Sequence, residues 1–449
     1  MKTRKTSTFV SMMALLAALT MILSACVPAG VAPQPAASDG AAAPAATDGE
    51  KVITMWHIQT TEPGPQLIQQ AVDRFMADNP GVKVEVEALQ NDPFKTKIKV
   101  AMGAGNPPCI FPSWGGGPLY EYVKSGQVTD LTPYMDADNY KDRFVPASLS
   151  NVTFDDKIWG VPVENSAVAV LFYNKPLFEQ YGLNAPATWD DLMVAIETFK
   201  ANDIAPFALA NKTKWTGSMY FMYLVDRLGG PEVFKKAGTR TGGTFEDPVF
   251  IEAGKRLQEL VNAGAFSEGF NGLDYDTGQS RQLMYAGKAA MELMGSWNIS
   301  TAKGENPEFY EKNLDFVAFP ALPDGKGDPN NVVGTVGDNF YSISPTCAYP
   351  EEAFKLLQYI IDDESVKLRG EAGKIPPVKG FTTDDPMLQK VIGMIEAAPS
   401  VQLWYDQYLP PELGEVHKDT SQALFGLSMT PEEAAKAQED AAKKFYGEQ

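Results

Sequence analysis

Residues 51–111 read KVITMWHIQTTEPGPQLIQQAVDRFMADNPGVKVEVEALQNDPFKTKIKVAMGAGNPPCIF, and the periodicity of this stretch decides the fold class. Residues 51–56 form an apolar run that predicts a buried strand opening into a polar loop. From 65 to 76 the period changes: Leu67, Ile68, Ala71, Val72 and Phe75 fall on one face of a helix. Asn79-Pro80-Gly81 is a turn, and residues 82–87 alternate as a half-buried strand does. A second helix is expected over 94–102, ended by the glycines and prolines of 103–108, and a short strand over 109–111. Strand–helix–strand alternation implies an α/β fold with a parallel, helix-covered sheet whose ligands sit beyond the carboxyl ends of the strands. WHIQTTE (56–62) and PSWGGG (112–117) follow such ends, so both are expected to face one crevice.

Upstream, Lys2, Arg4 and Lys5 precede an apolar run from Phe9 to Leu23, which has the order of a secretory signal and is short for a membrane span. It ends in Leu23-Ser24-Ala25-Cys26, which resembles the lipobox of bacterial lipoproteins. That resemblance implies removal of residues 1–25 and acylation of Cys26, tethering the chain to the outer face of the cytoplasmic membrane. Residues 26–50, almost wholly Ala, Pro, Gly, Ser, Thr and acid, read as a linker that cannot bury enough apolar surface to fold.

The remaining body of about 400 residues is suited to two lobes rather than one core. The chain carries 38 basic and 57 acidic residues, and loss of the leader's three cations takes its net charge from −19 to −22. Such a surface disfavours nucleic acid and electrostatic adhesion to anionic lipid. With Cys26 committed to the lipid, Cys109 and Cys347 are left either to pair or to stay as free thiols.

Further motifs follow in order: WGVPVE (159–164), FYNK (172–175), PATWDDL (186–192), GKAAMELMGSW (287–297), FPALPDGKG (319–327), ISPTCAYPEEAFKLLQYIID (343–362) and MTPEEAAKAQEDA (429–441). In PATWDDL, Thr188 is placed to cap a helix with Asp191 three residues on. In this order the segments resemble the extracellular solute-binding proteins of the maltose-binding type, the receptors of ABC sugar importers. The resemblance implies a two-lobed periplasmic-binding-protein-like fold of type II. Lobe one would span 51–163 and 324–378, lobe two 164–323 and 379–449, with three crossover strands as the hinge. It further implies a monomer that binds a carbohydrate without cofactor or metal and delivers it to permease subunits.

A sugar offers apolar C–H faces and a rim of hydroxyls, so its site needs flat aromatics and fixed polar groups. By resemblance Trp297 is the stacking residue, Trp404 and Trp56 are further cleft aromatics, and Glu164 is a carboxylate that accepts sugar hydroxyls. Trp114 precedes Gly115-Gly116-Gly117, where backbone could approach a ligand closely. Gln59, Asn165, Asp338 and Asp406 complete the candidates. The loop after residue 56 lacks the acid–lysine pair of a maltodextrin binder, and the WGGG loop replaces an acid–arginine pair, which points away from maltose. Among rival functions, a glycan-active enzyme would need a recognisable pair of catalytic acids. Only His57 and His417 exist for histidine chemistry, and no G-x-S-x-G, P-loop or dinucleotide fingerprint is present. A glycerol phosphodiester binder would want Arg or Lys in the candidate loops; a polyamine binder could use the acids and aromatics.

Overall fold

A computed structural model describes residues 49–448; Cys26, the leader and most of the linker lie outside them. Strand β1 (Lys51–His57) pairs in parallel with β2 (Val82–Ala88) and β3 (Ile110–Ser113). Helix α1 (Gly64–Asp78) joins the first two strands and buries the face predicted for it, Leu67, Ile68, Ala71, Val72 and Phe75. Helix α2 (Asn91–Gly103) joins the next two and α3 (Gly116–Lys124) follows β3.

A second sheet is built around β4 (Ala167–Asn174), seven of whose eight residues are buried. Buried on both faces, it reads in sequence as a continuous apolar run rather than an alternation. Helix α4 (Trp189–Lys200) starts with the predicted capping box: Thr188 Oγ1 accepts the Asp191 amide proton at 3.2 Å, and Asp191 Oδ2 accepts that of Thr188 at 3.0 Å. Strand β5 (Ala205–Phe207) precedes the long helix α5 (Trp215–Gly229). Strand β6 (Ala289–Gly295) lies antiparallel to β4 and leads into α6 (Asn298–Glu305). Strand β7 (Leu314–Val317) also pairs with β4.

Strand β8 (Val332–Thr335) pairs antiparallel with β4, and Val332 and Val333 sit in the second core. The return to lobe one therefore falls after Thr335, later than the boundary expected at residue 324. The Pro/Gly/Asp-rich connector at 321–331 lies within lobe two and is not the crossing. Strand β9 (Phe340–Ile343) then adds antiparallel to β3, giving the first sheet the order β9-β3-β1-β2. Helices α7 (Pro350–Ile360) and α8 (Asp363–Glu371) finish lobe one. The chain returns to lobe two through β10 (Val401–Gln402), the short helix α9 (Tyr405–Tyr408) and, at the C-terminus, α10 (Pro431–Tyr446). Two separate hydrophobic cores result, one per sheet.

Cys109 and Cys347 form a disulfide, with Cα atoms 4.6 Å apart and a sequence separation of 238. It staples the start of β3 to the segment after its neighbour β9, resolving the alternative that the sequence leaves open. Among the described residues no helix is long and apolar enough to cross a membrane, and no group of three or more His, Cys, Asp or Glu is arranged to hold a metal ion.

Candidate functional site

Three crossings link the lobes, and polar contacts bind them to one another. The Glu164 amide donates to the Asp338 carbonyl at 3.2 Å, and that of Ser166 donates to the Ile375 carbonyl at 2.8 Å. Between the crossings lies a buried charge cluster. Glu164 is 1% exposed, and its Oε2 accepts from Arg369 at 2.8 Å and Lys374 at 3.1 Å. Burial alone would raise the Glu164 pKa, but the attraction of Arg369 and then Lys374 outweighs it and holds the carboxyl below its usual value. Lys374 also donates to Gln59 Oε1 at 3.0 Å, which ties the loop after β1 to the hinge.

Beside this hinge, between the lobes, is a cavity of about 200 Å³. Eight of the nine sequence-predicted residues line it: Gln59, Trp114, Glu164, Asn165, Trp297, Asp338, Trp404 and Asp406. Lobe two supplies an aromatic wall. Trp297 stands at the start of α6, immediately after β6, and its Nε1 donates to the Tyr275 hydroxyl at 2.8 Å. Its ring lies over Gly295, where a Cβ would come within 2.2 Å of it, so the strand end must be glycine for the ring to rest there. Trp215 meets Tyr275 edge-on at 4.9 Å and Trp297 at 5.9 Å, and Trp404 meets Trp297 at 5.8 Å. Trp404 is also largely sunk in the core, so it supports Trp297 as much as it lines the cavity.

Trp56 does not reach the cavity, contrary to expectation. Successive side chains of a strand face opposite sides. Met55 and His57 are buried on one side, and Trp56 turns to the other, where it packs edge-on against Phe94 of α2 with Lys97 4.3 Å above its ring. Phe94 also meets Trp114 at 5.7 Å, and Lys95 lies 4.8 Å over the Trp114 ring, so one face of that ring is already covered. Asn165 lines the cavity, but its Oδ1 is engaged by the Ile375 amide. Glu164, expected to accept sugar hydroxyls, has its Oε2 engaged by the hinge cations Arg369 and Lys374. Its Oε1 is buried without a hydrogen-bond partner, as is Asn339 Oδ1, and both residues line the cavity.

Sequence reading missed several lining groups. Lys95 comes from the middle of α2 and Lys374 from the third crossing, so inspection of the strand-end loops alone finds the cavity nearly free of cations. Trp215, Tyr275 and Asp276 come from lobe two segments that carry no family motif; an aromatic flanked by polar residues was the only available signal. Two cavity carboxyls are shifted upward. Burial, then the neighbouring carboxylates of Asp92 and Asp274, raises Asp276 to about 6. Burial raises Asp338 to about 7, with Glu164 adding to it and Lys374 and Lys95 opposing.

A family model described as bacterial extracellular solute-binding protein matches residues 59–367. An uncharacterized ABC transporter extracellular-binding protein of Pyrococcus horikoshii is 26% identical over 360 residues, covering 78% of this chain and 77% of the relative. A solved structure from work on xylan utilization by Caldanaerobius polysaccharolyticus is 31% identical, with a TM-score of 0.81, covering 87% of this chain and 99% of that one. A chitin oligosaccharide binding protein is 27% identical with the same TM-score, covering 88% and 98%.

Proposed function

The chain belongs to the bacterial extracellular solute-binding protein family, and from that premise we propose that it captures a short, neutral carbohydrate between its lobes and hands it to the permease of an ABC importer. One observation carries the reading. A wall of aromatic rings from Trp297, Trp215 and Tyr275 shares the cavity with two buried acceptors that lack partners, Glu164 Oε1 and Asn339 Oδ1. Ring faces complement the apolar faces of a pyranose, and buried acceptors without partners are satisfied by donated hydroxyls. The structural relatives from xylan utilization and chitin oligosaccharide binding support the same carbohydrate class.

The cavity's other charges argue against the rival solutes. Asp276, Asp338 and Asp406 disfavour a phosphodiester, while Lys95 and Lys374 disfavour a polycation. In the working cycle, the sugar settles on Trp297 and Trp404 in lobe two, and the lobe-one groups Gln59, Trp114 and Asn339 close over it. The closed population rises by the difference in affinity between the two forms. Cys26 holds the receptor at the membrane by its lipid, within reach of the permease, and no reaction is catalysed. A thermal-shift screen of mono- and disaccharides, with spermidine and glycerophosphodiesters as comparators, tests the class. Saturation by a neutral sugar at 100 times Kd should add about 2.7 kcal/mol of stability, unchanged by salt. Stabilisation by spermidine alone, fading with ionic strength, would replace the reading.

A further inference from the structure

Of the three glycines after Trp114, Gly115 packs against Asn151 of its own lobe, while Gly116 and Gly117 approach the other lobe. A Cβ on Gly116 would stand 2.2 Å from the carbonyl oxygen of Gln407, and one on Gly117 would stand 2.3 Å from that of Leu409. Gln407 and Leu409 belong to and follow α9, in lobe two, whereas α3 packs into the lobe-one core through Leu119. At a second place the lobes meet in the same manner. A Cβ on Gly304, in α6 of lobe two, would lie 2.9 Å from the carbonyl oxygen of Glu62 in the loop after β1. Real Cβ atoms do not come this near a backbone atom, so each contact exists only because the residue is glycine.

Both contacts sit at the cavity's rim. Trp114 and Gln407 line the cavity beside the first, and Glu62 and Thr301 beside the second. We propose that Gly116, Gly117 and Gly304 determine ligand size: they let the lobes clasp backbone to backbone at two points of the rim, and the clasps shut fully only over a saccharide of one or two rings. The volume agrees. A water-sized group needs about 10–15 Å³ of such space, so about 200 Å³ accommodates roughly 13–20 of them. A hexose has roughly twelve heavy atoms, which leaves room for one ring and much of a second. A longer chain leaving at either of these two points of the rim would have to pass between the Gly117 and Leu409 backbones or between Gly304 and Glu62, where not even a methyl group fits.

This inference rests on the sugar-capture reading, and its test separates the two. Gly117→Ala and Gly304→Ala place a methyl group in each clasp without touching ligand. Neither glycine has positive φ, so the backbone conformation itself accepts alanine, and thermal melting of each unliganded variant checks that it folds. Calorimetry and small-angle scattering would follow the parent and both variants with a homologous series of one to five rings of the best-binding sugar. The parent should compact fully on one- and two-ring ligands and bind longer chains at least tenfold more weakly. Each variant should lose at least tenfold in affinity for the short ligands, together with the compaction, and lose its preference over the longer ones. Binding of five-ring chains by the parent with full compaction, or alanine variants that bind and close as the parent does, would overturn the inference while leaving sugar capture standing. No binding of any saccharide would overturn the sugar reading and this inference with it.

Discussion

Replacing Arg369 by Met removes one cation from a buried carboxylate. Arg369 is 2% exposed and Glu164 1%. Breaking a buried pair by deleting one partner costs about 3–5 kcal/mol, because the remaining charge is left buried. Lys374 stays 3.1 Å from Glu164 Oε2 in the variant, which places the expected cost near about 3 kcal/mol. For a body of about 400 residues unfolding entropy is about 0.8 kcal/mol per degree, so differential scanning calorimetry at pH 7 should find the variant about 4 °C less stable. The sign with pH is fixed by the direction of the Glu164 shift. Its folded pKa lies below the ordinary value, so its pairing stabilises the parent above that ordinary value, and the contribution fades as pH falls through the folded pKa. The variant's deficit should therefore be full at pH 7 and shrink toward pH 4, where Glu164 can take up a proton. Glu164→Gln combined with Arg369→Met should cost less than the sum of the single changes, since each single change strands a charge that the double change does not. A deficit below 1 °C, one that is as large at pH 4 as at pH 7, or strict additivity would refute the assignment of this cluster as the electrostatic lock of the hinge.

The other predictions concern lobe one and the cavity floor. Asp338, raised to about 7 by burial, stabilises the folded state most below pH 4 and loses that contribution as pH climbs to 7. Asp338→Asn should remove a slope worth at most about 4 kcal/mol, read as the difference between parent and variant melting temperatures from pH 4.5 to 7.5; parallel curves would show that Asp338 titrates normally. Removing both Cys109 and Cys347 should cost about 2–5 kcal/mol, and a reducing agent should lower the parent's melting temperature by the same amount without affecting the variant.

How much of this was legible in the sequence depended on how local the cause was. The helix over 64–78, the strand at 82–88 and the Thr188 cap are set by residues a few positions apart, and the periodicity exposed them. The aromatic at 297 was placed by the resemblance to the maltose-binding type, which sets a stacking residue after the Gly-Ser turn that ends a strand. What escaped were relations between distant segments. Glu164 meets Arg369 across 205 residues, and Cys109 meets Cys347 across 238, distances over which pattern carries no information. Trp56 was misplaced by a single step of strand alternation, which sent its ring toward Phe94. The WGGG loop was given the right property, close backbone approach, with the wrong neighbour: the α9 backbone rather than a ligand.

The central claim is that Trp297 and its aromatic neighbours form the floor on which a neutral sugar is held. Isothermal titration of the best-binding saccharide into the parent and Trp297→Ala, at two salt concentrations, tests it most directly. The account predicts one site per chain, an affinity indifferent to salt, and a loss in the variant of about 2 kcal/mol, or roughly 30-fold. Binding by Trp297→Ala with the parent's affinity would contradict it.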